Sequence, residues 1–256
     1  MAKAILYDSV QCVGCRACED GCAKRWNMPY NDTIAKEEEI SAHKLTAVVT
    51  HGERFSRRLC MHCADPTCVS VCPVAALQKT ALGAVIYDED RCMGCRYCML
   101  ACPYQVPSYE WNSRLPRVKK CDMCYERQRS GKSTACSESC PTGATVTGDR
   151  DALIAEARKR IADKPGDYYP RIYGINEVGG TSVLILSAVP FEQLGMKTNL
   201  PLEPLPPLTW AVQSHVPDVV LLGSVLLGGI SWITHRRDEV AAAEGPAPKP
   251  RKEASK

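Results

Sequence analysis

The sequence predicts an α+β protein made of two pseudo-symmetric small units, one inserted in the other, followed by a single C-terminal apolar helix. Three observations carry this expectation. Sixteen cysteines, all within the first 140 of 256 residues, fall in four groups of four. The stretch Ala4 to Cys18, AILYDSVQCVGCRAC, returns at Ala84 to Cys98 as AVIYDEDRCMGCRYC, with eight identities in fifteen positions at a constant offset of 80. Near the C-terminus, Val219 to Thr234 is an uncharged run of sixteen residues.

Composition narrows the class. The length suffices for one large domain or two small ones plus a tail. A net charge of +3 is too slight to imply a nucleic-acid partner. With only two Phe and 18 Pro, the chain reads as loop-rich, its order coming from something other than an aromatic core. The cysteines are the candidate.

The groups are Cys12, Cys15, Cys18 and Cys22; Cys60, Cys63, Cys68 and Cys72; Cys92, Cys95, Cys98 and Cys102; and Cys121, Cys124, Cys136 and Cys140. Disulfides fit poorly, because the spacing is too dense for long-range bridges and no secretory signal opens the chain. Zinc held by paired CxxC motifs is the other alternative. A zinc site needs neither a third cysteine three residues on nor a Pro after the fourth. Group three reads C-x2-C-x2-C-x3-C-P, ending at Cys102 and Pro103, which is the bacterial ferredoxin run for a [4Fe-4S] cluster.

In two-cluster ferredoxins the last cysteine of each run ligates the other cluster. Groups two and three, residues 60–103, then form a compact bacterial-ferredoxin-like unit. Cys60, Cys63 and Cys68 share one cluster with Cys102, and Cys92, Cys95 and Cys98 share another with Cys72. Group four ends in CPTGAT, which echoes CPVAAL of group two, so groups one and four make the outer unit. By the same rule Cys12, Cys15 and Cys18 join Cys140, and Cys121, Cys124 and Cys136 join Cys22. Four [4Fe-4S] clusters are expected, and no cysteine is missing to suggest a [3Fe-4S] site. Gly14 and Gly94 permit tight turns inside ligand loops. Arg16, Arg96, Lys119 and Lys120 are either cluster-stabilising cations or solvated basic residues; His62 reads as a spacer.

The insertion between Ala23 and Leu59 carries an acidic run, Lys36 to Glu39, that reads as a solvated face with partner docking as the alternative. It also carries a strand-like stretch, Lys44 to Thr50. After group four, Asp149 or Asp151 can cap a helix presenting Leu153, Ile154, Ala157 and Ile161 and ending at Pro165-Gly166. VGGTSVLIL, Val178 to Leu186, reads as a buried strand, and Pro201 to Leu208 as an extended linker. Residues 1–148 are thus the cluster region, 149–200 complete the domain, 201–216 are a Pro-rich linker, 217–235 a transmembrane helix and 236–256 a polar cytoplasmic tail. Nothing after the apolar run could bury it as a core helix, and Trp210 and Trp232 suit an aromatic belt. The residues from His235 onward carry six Lys and Arg, against Lys197 alone in the twenty residues before Pro217. That asymmetry puts the C-terminus in the cytoplasm and the cluster domain on the periplasmic side of the inner membrane. Without a signal of its own, the domain would be exported folded, carried by a partner that has one.

The four cysteine groups, the nested pair, the VGGT strand and the C-terminal helix together resemble the iron-sulfur (beta) subunits of membrane-bound respiratory oxidoreductases, of the formate dehydrogenase N, hydrogenase-2 and dimethyl sulfoxide or polysulfide reductase types. The anchor looks more like the first two branches. The resemblance implies a non-catalytic electron relay. Its partners would be a catalytic large subunit with molybdenum or tungsten pterin or nickel-iron, and an integral membrane cytochrome b or quinone-binding subunit. No P-loop, GxGxxG or Ser/His/Asp pattern suggests an independent active site. A membrane-tethered zinc module and a cytoplasm-facing ferredoxin-like subunit of another redox complex are the alternatives.

Overall fold

The computed structural model describes residues 2–245, in two units that divide between Pro206 and Pro207. The first is organised by β1 (Lys3–Asp8), a hexapeptide with an apolar centre, buried along almost its whole length. On one side β1 pairs antiparallel with β8 (Thr145–Asp149), from Lys3↔Asp149 to Tyr7↔Thr145; on the other it runs parallel to β9 (Val183–Leu186). Because side chains alternate along a strand, the sheet has two distinct faces. Ala4, Leu6, Leu184 and Leu186 meet Leu153 and Ala157 of helix α7 (Arg150–Asp163), while Ile5, Tyr7, Val183 and Ile185 pack with Leu59, Met61, Met123 and Cys136 from the cysteine-bearing segments.

Helix α1 (Ala17–Trp26) carries Cys18 and Cys22, and packs against α6 (Ala135–Glu138). Group two lies before, within and just after α3 (Thr67–Ser70), followed by β4 (Leu77–Lys79); β5 (Val85–Tyr87) precedes group three and α4 (Tyr97–Ala101). β4 pairs antiparallel with β5, and α3 packs on α4. Two hairpins separate these elements: β2 (Ala47–His51) with β3 (Arg54–Arg58), and β6 (Ser108–Tyr109) with β7 (Val118–Lys119). The short helices α2 (Asp32–Lys36) and α5 (Tyr125–Arg129) fill the connections.

Several sequence expectations need adjustment. Asp149 does occupy the N-cap position of α7, but its side chain pairs with Lys3 at 2.8 Å and makes no capping bond. The strand expected from Val178 forms only at Val183, because Val178, Gly179 and Gly180 all take left-handed or otherwise positive φ. The strand expected at Lys44 begins at Ala47, since Lys44 turns inward to pair with Glu19 at 2.8 Å and donate to the carbonyl oxygens of Ile34 and Glu37. The Pro-rich segment is extended only to Leu205; α8 (Pro206–Gln213) begins there, Pro being well tolerated in a first helical turn.

In the second unit α9 (Val216–Glu244) is a 29-residue helix with its apolar side chains exposed. The span from Pro206 to Glu244 is long and apolar enough to cross a membrane. Helix continues through residues 236–244, the start of the expected polar tail; residues 246–256 lie outside the described residues.

Glu19 holds α1 to the rest of the domain. Fully buried, it pairs with Lys44, accepts from Tyr30 Oη at 2.7 Å and receives the Val48 N–H at 2.5 Å. Removing one partner of such a pair leaves an uncompensated buried charge. Lys44→Met should therefore lower stability by about 3–5 kcal/mol, read as a reduced guanidinium midpoint by circular dichroism.

Candidate metal centres

None of the sixteen cysteines is paired in a disulfide. The residue before the second cysteine has the same backbone in every group: Gly14, His62, Gly94 and Met123 lie at φ 68, 49, 75 and 56°. This turn curls the loop so that successive thiols face one side. Glycine suits it at two positions for a further reason: a Cβ on Gly14 would run into the Phe55 ring, and one on Gly94 would lie 2.9 Å from Tyr109 Oη. His62 and Met123 adopt the conformation despite a strain of about 1–2 kcal/mol, offset by complete burial of both side chains. His62 Nδ1 accepts the Val85 N–H at 2.9 Å, so the residue read as a spacer also ties group two to β5.

Two cavities collect cysteines from separate segments. One is lined by Cys92, Cys95 and Cys98 together with Cys72. The other is lined by Cys121, Cys124 and Cys136 together with Cys22. In each, three cysteines of one group meet the last of another, 20 residues before Cys92 in the first case and 99 before Cys121 in the second. Backbone amides already point at these sulfurs: Ala76 N–H donates to Cys72 Sγ at 3.2 Å, Met123 to Cys121 at 3.3 Å and Ala135 to Cys124 at 3.4 Å.

Cys60, Cys63, Cys68 and Cys102 form a third neighbourhood, each lying in the field of others of the set. Cys12 and Cys18 are neighbours beside Tyr7, Cys15 is exposed, and Cys140 sits in its own turn near the Thr142 hydroxyl at 3.7 Å. The sets also adjoin one another. Cys18 is in range of Cys136, Cys121 of Cys60, and Cys68 of Cys98.

Among the described residues no three Cys, His, Asp or Glu side chains converge to hold a single ion. Burial pushes the thiols of Cys18, Cys98 and Cys124 up to about 11, and those of Cys22 and Cys68 up to about 12, so they bind metal only with loss of protons. For Cys140 burial acts upward too, but hydrogen bonds from Thr145, Thr142 and Ala144 outweigh it and hold the thiol below its ordinary value.

Of the four cations singled out in the sequence, Arg16 is drawn to Glu38 at 3.5 Å and Lys119 to Glu110 at 3.5 Å. Arg96 lines the first cavity and lies over the Tyr109 and Trp111 rings. Lys120 is buried, donating to the carbonyl oxygens of Val85 and Cys121. Sequence reasoning missed Arg57, which lines the second cavity. Its signal was a cation at the inward position of a strand, three residues ahead of Cys60. Within the acidic run, Lys36, Glu37 and Glu39 are exposed, while Glu38 also accepts the Thr50 N–H at 3.0 Å.

The 4Fe-4S dicluster domain family matches residues 52–150, which hold groups two, three and four. Hydrogenase-2 operon protein HybA of Escherichia coli O157:H7 is 39% identical over 235 residues, covering 75% of this chain and 72% of that protein. A formate dehydrogenase iron-sulfur subunit of Haemophilus influenzae is 33% identical over 199 residues, 71% of this chain and 63% of the relative. The B component of the anaerobic dimethyl sulfoxide reductase of Escherichia coli K12 is 38% identical over 161 residues, 61% and 76% respectively. With its cysteine-lined cavities and these relatives over most of its length, the chain belongs to the family of iron-sulfur subunits of respiratory oxidoreductases.

Proposed function

We propose that this chain is a non-catalytic electron relay holding four [4Fe-4S] clusters, one each on Cys12, Cys15, Cys18 and Cys140; Cys60, Cys63, Cys68 and Cys102; Cys92, Cys95, Cys98 and Cys72; and Cys121, Cys124, Cys136 and Cys22. The observation that carries the reading is the pair of cavities in which three thiols of one group and the last thiol of another surround a space instead of closing on a point. A cubane needs four thiolates around such a space. When bound, the clusters supply one-electron redox centres. The protein's part is to present the thiols, aim amides and cations at the sulfurs and exclude water, which sets the potentials. The mutual proximity of the four sets is what a relay requires.

The same reading makes residues 60–103 one two-cluster unit inserted in another. Supporting it, each unit pairs the strand before one group with the strand after another, β1 with β8 and β5 with β4. In each, the two short helices pack together, α1 with α6 and α4 with α3. Each also sets an aromatic ring from a hairpin against a loop glycine, Phe55 at Gly14 and Tyr109 at Gly94. We further propose that α9 anchors the chain in the inner membrane, with the cluster domain periplasmic and the C-terminus cytoplasmic. One side would meet a catalytic subunit, molybdenum or tungsten pterin or nickel-iron, and the other a quinone-reactive cytochrome b or related membrane subunit.

On the complex purified anaerobically through this chain, iron and acid-labile sulfide should each amount to about sixteen per chain after subtracting partners, as four cubanes require. Zinc without sulfide would overturn the reading. EPR of single Cys→Ser variants tests the assignments: Cys72→Ser should perturb the same signal as Cys95→Ser, and Cys102→Ser the same signal as Cys63→Ser. Pairing of Cys72 with Cys63 instead would refute them.

Truncation after Pro206 should move the chain from the membrane fraction to the soluble fraction while its iron content stays unchanged. A truncated chain still sedimenting with membranes in the absence of its partner subunits would rule out α9 as the anchor.

A further inference from the structure

Three cations are buried in the first unit, and they are satisfied in different ways. Lys44 has the Glu19 carboxylate. Lys120 donates to two carbonyl oxygens. Arg57, 3% exposed, has only two hydroxyls: its Nε donates to Thr46 Oγ1 at 2.9 Å and an Nη to Thr145 Oγ1 at 3.0 Å. Among the described residues no carboxylate lies within ion-pair distance of it. A guanidinium has five N–H donors, so most of its hydrogen-bonding capacity faces elsewhere. An isolated buried charge is too costly to persist without a counter-charge. Its remaining polar neighbours are chiefly sulfurs, the Asp122 carboxylate of the same cavity being paired with Arg25 at 2.5 Å. Arg57 lines the cavity of Cys22, Cys121, Cys124 and Cys136 and also has Cys18 nearby.

The corresponding position beside the other four-thiol cavity sharpens the point. Arg57 lies three residues before the first cysteine of group two; three residues before the first cysteine of group four is Val118. Val118 is buried too, but packs with Leu77, Val85 and Cys98 as part of an apolar cluster. At this matched position one cavity is lined by the buried, positively charged Arg57 and the other by the apolar Val118.

We propose that Arg57 is the internal counter-cation of the centre held by Cys22, Cys121, Cys124 and Cys136, stabilising its more negative, reduced state and so keeping its potential up. This rests on the four-cluster reading above. A thiolate-ligated [4Fe-4S] group is anionic in both oxidation states, and gains one further electron on reduction; a desolvated cation beside it favours that reduced form. Arg57 acts on the centre by charge and ligates nothing.

The test is an EPR-monitored redox titration of the intact complex carrying Arg57→Gln or Arg57→Lys, with iron and sulfide measured on each preparation. The signal that Cys124→Ser removes identifies the centre. In Arg57→Gln its midpoint should fall to a more negative potential, by more than any other signal moves, and Arg57→Lys should restore it most of the way. An unmoved midpoint at full iron content in Arg57→Gln overturns the proposal. Should Arg57→Gln lose the centre, the Lys variant decides. Retention of the centre at a near-original midpoint supports the charge role, whereas loss of the same centre in both variants assigns Arg57 to packing alone. Failure of the four-cluster reading is seen separately, in the iron and sulfide of the unsubstituted complex.

Discussion

Pairing of β1 with β8 is the constraint on which the rest of the structure depends. It closes a loop of nearly the whole cysteine-bearing sequence, since Tyr7 lies opposite Thr145. The entropic cost of closing a loop rises only slowly with its length, and the strand offsets it by burying both faces. At the closed end Asp8 N–H donates to the carbonyl of Ala144 at 2.7 Å, which places the start of group one beside the end of group four. The inner pair repeats the device, with Asp88 N–H on the carbonyl of Ala76 at 2.8 Å, placing the start of group three beside the end of group two. Each join brings the segment leading into one cysteine group beside the segment that follows another.

Buried charge is handled with the same economy of partners. Asp8 is fully buried; it accepts from Val10 N–H at 2.9 Å, from Tyr168 Oη at 2.8 Å and from Arg160 at 3.0 Å, so one carboxylate shapes the turn into group one and clamps α7 across the sheet. Glu19 does the equivalent for α1. These carboxylates satisfy cations that come from far along the chain, and each lies next to a cysteine segment without lining the two four-thiol cavities. Asp122, which does line the second cavity, is paired with Arg25 at 2.5 Å, and cations and amides are brought to the sites. Lys79, whose ammonium donates to the carbonyl oxygens of His62, Cys63 and Gly83, illustrates the strain of that arrangement: burial pushes it down to about 8, against the opposing pull of Cys63 and Cys60. Loading the thiol sites with an anionic group relieves such cations, coupling metal assembly to the stability of the fold.

The left-handed residue in each ligand loop shows where sequence reading stops. Gly14 and Gly94 announce the turn because glycine is the residue that adopts it at little cost. His62 and Met123 make the same turn without announcing it, since their strain is offset by contacts visible only after folding. Arg16 and Arg96 are alike in sequence and both cap a helix from a left-handed backbone, yet one is drawn to Glu38 and the other lies over two aromatic rings. Local chemistry made them the same; long-range neighbours made them different.

By itself the sequence determined the number and spacing of the thiols, the repeat at offset 80, and the apolar helix near the C-terminus. All are local or periodic properties, readable because loop geometry, hydrophobic length and ligand chemistry each act over a few residues. Only the tertiary structure decided that VGGTSVLIL forms a strand for just four residues and that the Pro-rich segment turns helical at Pro206. It alone revealed that the acidic run lends Glu38 to Arg16, and that Arg57, which flanks no cysteine in sequence, is a buried cation lining a thiol cavity. Those outcomes depend on burial and on partners dozens of residues away. A side chain's charge is written in the sequence, but what it faces is settled when the strands close.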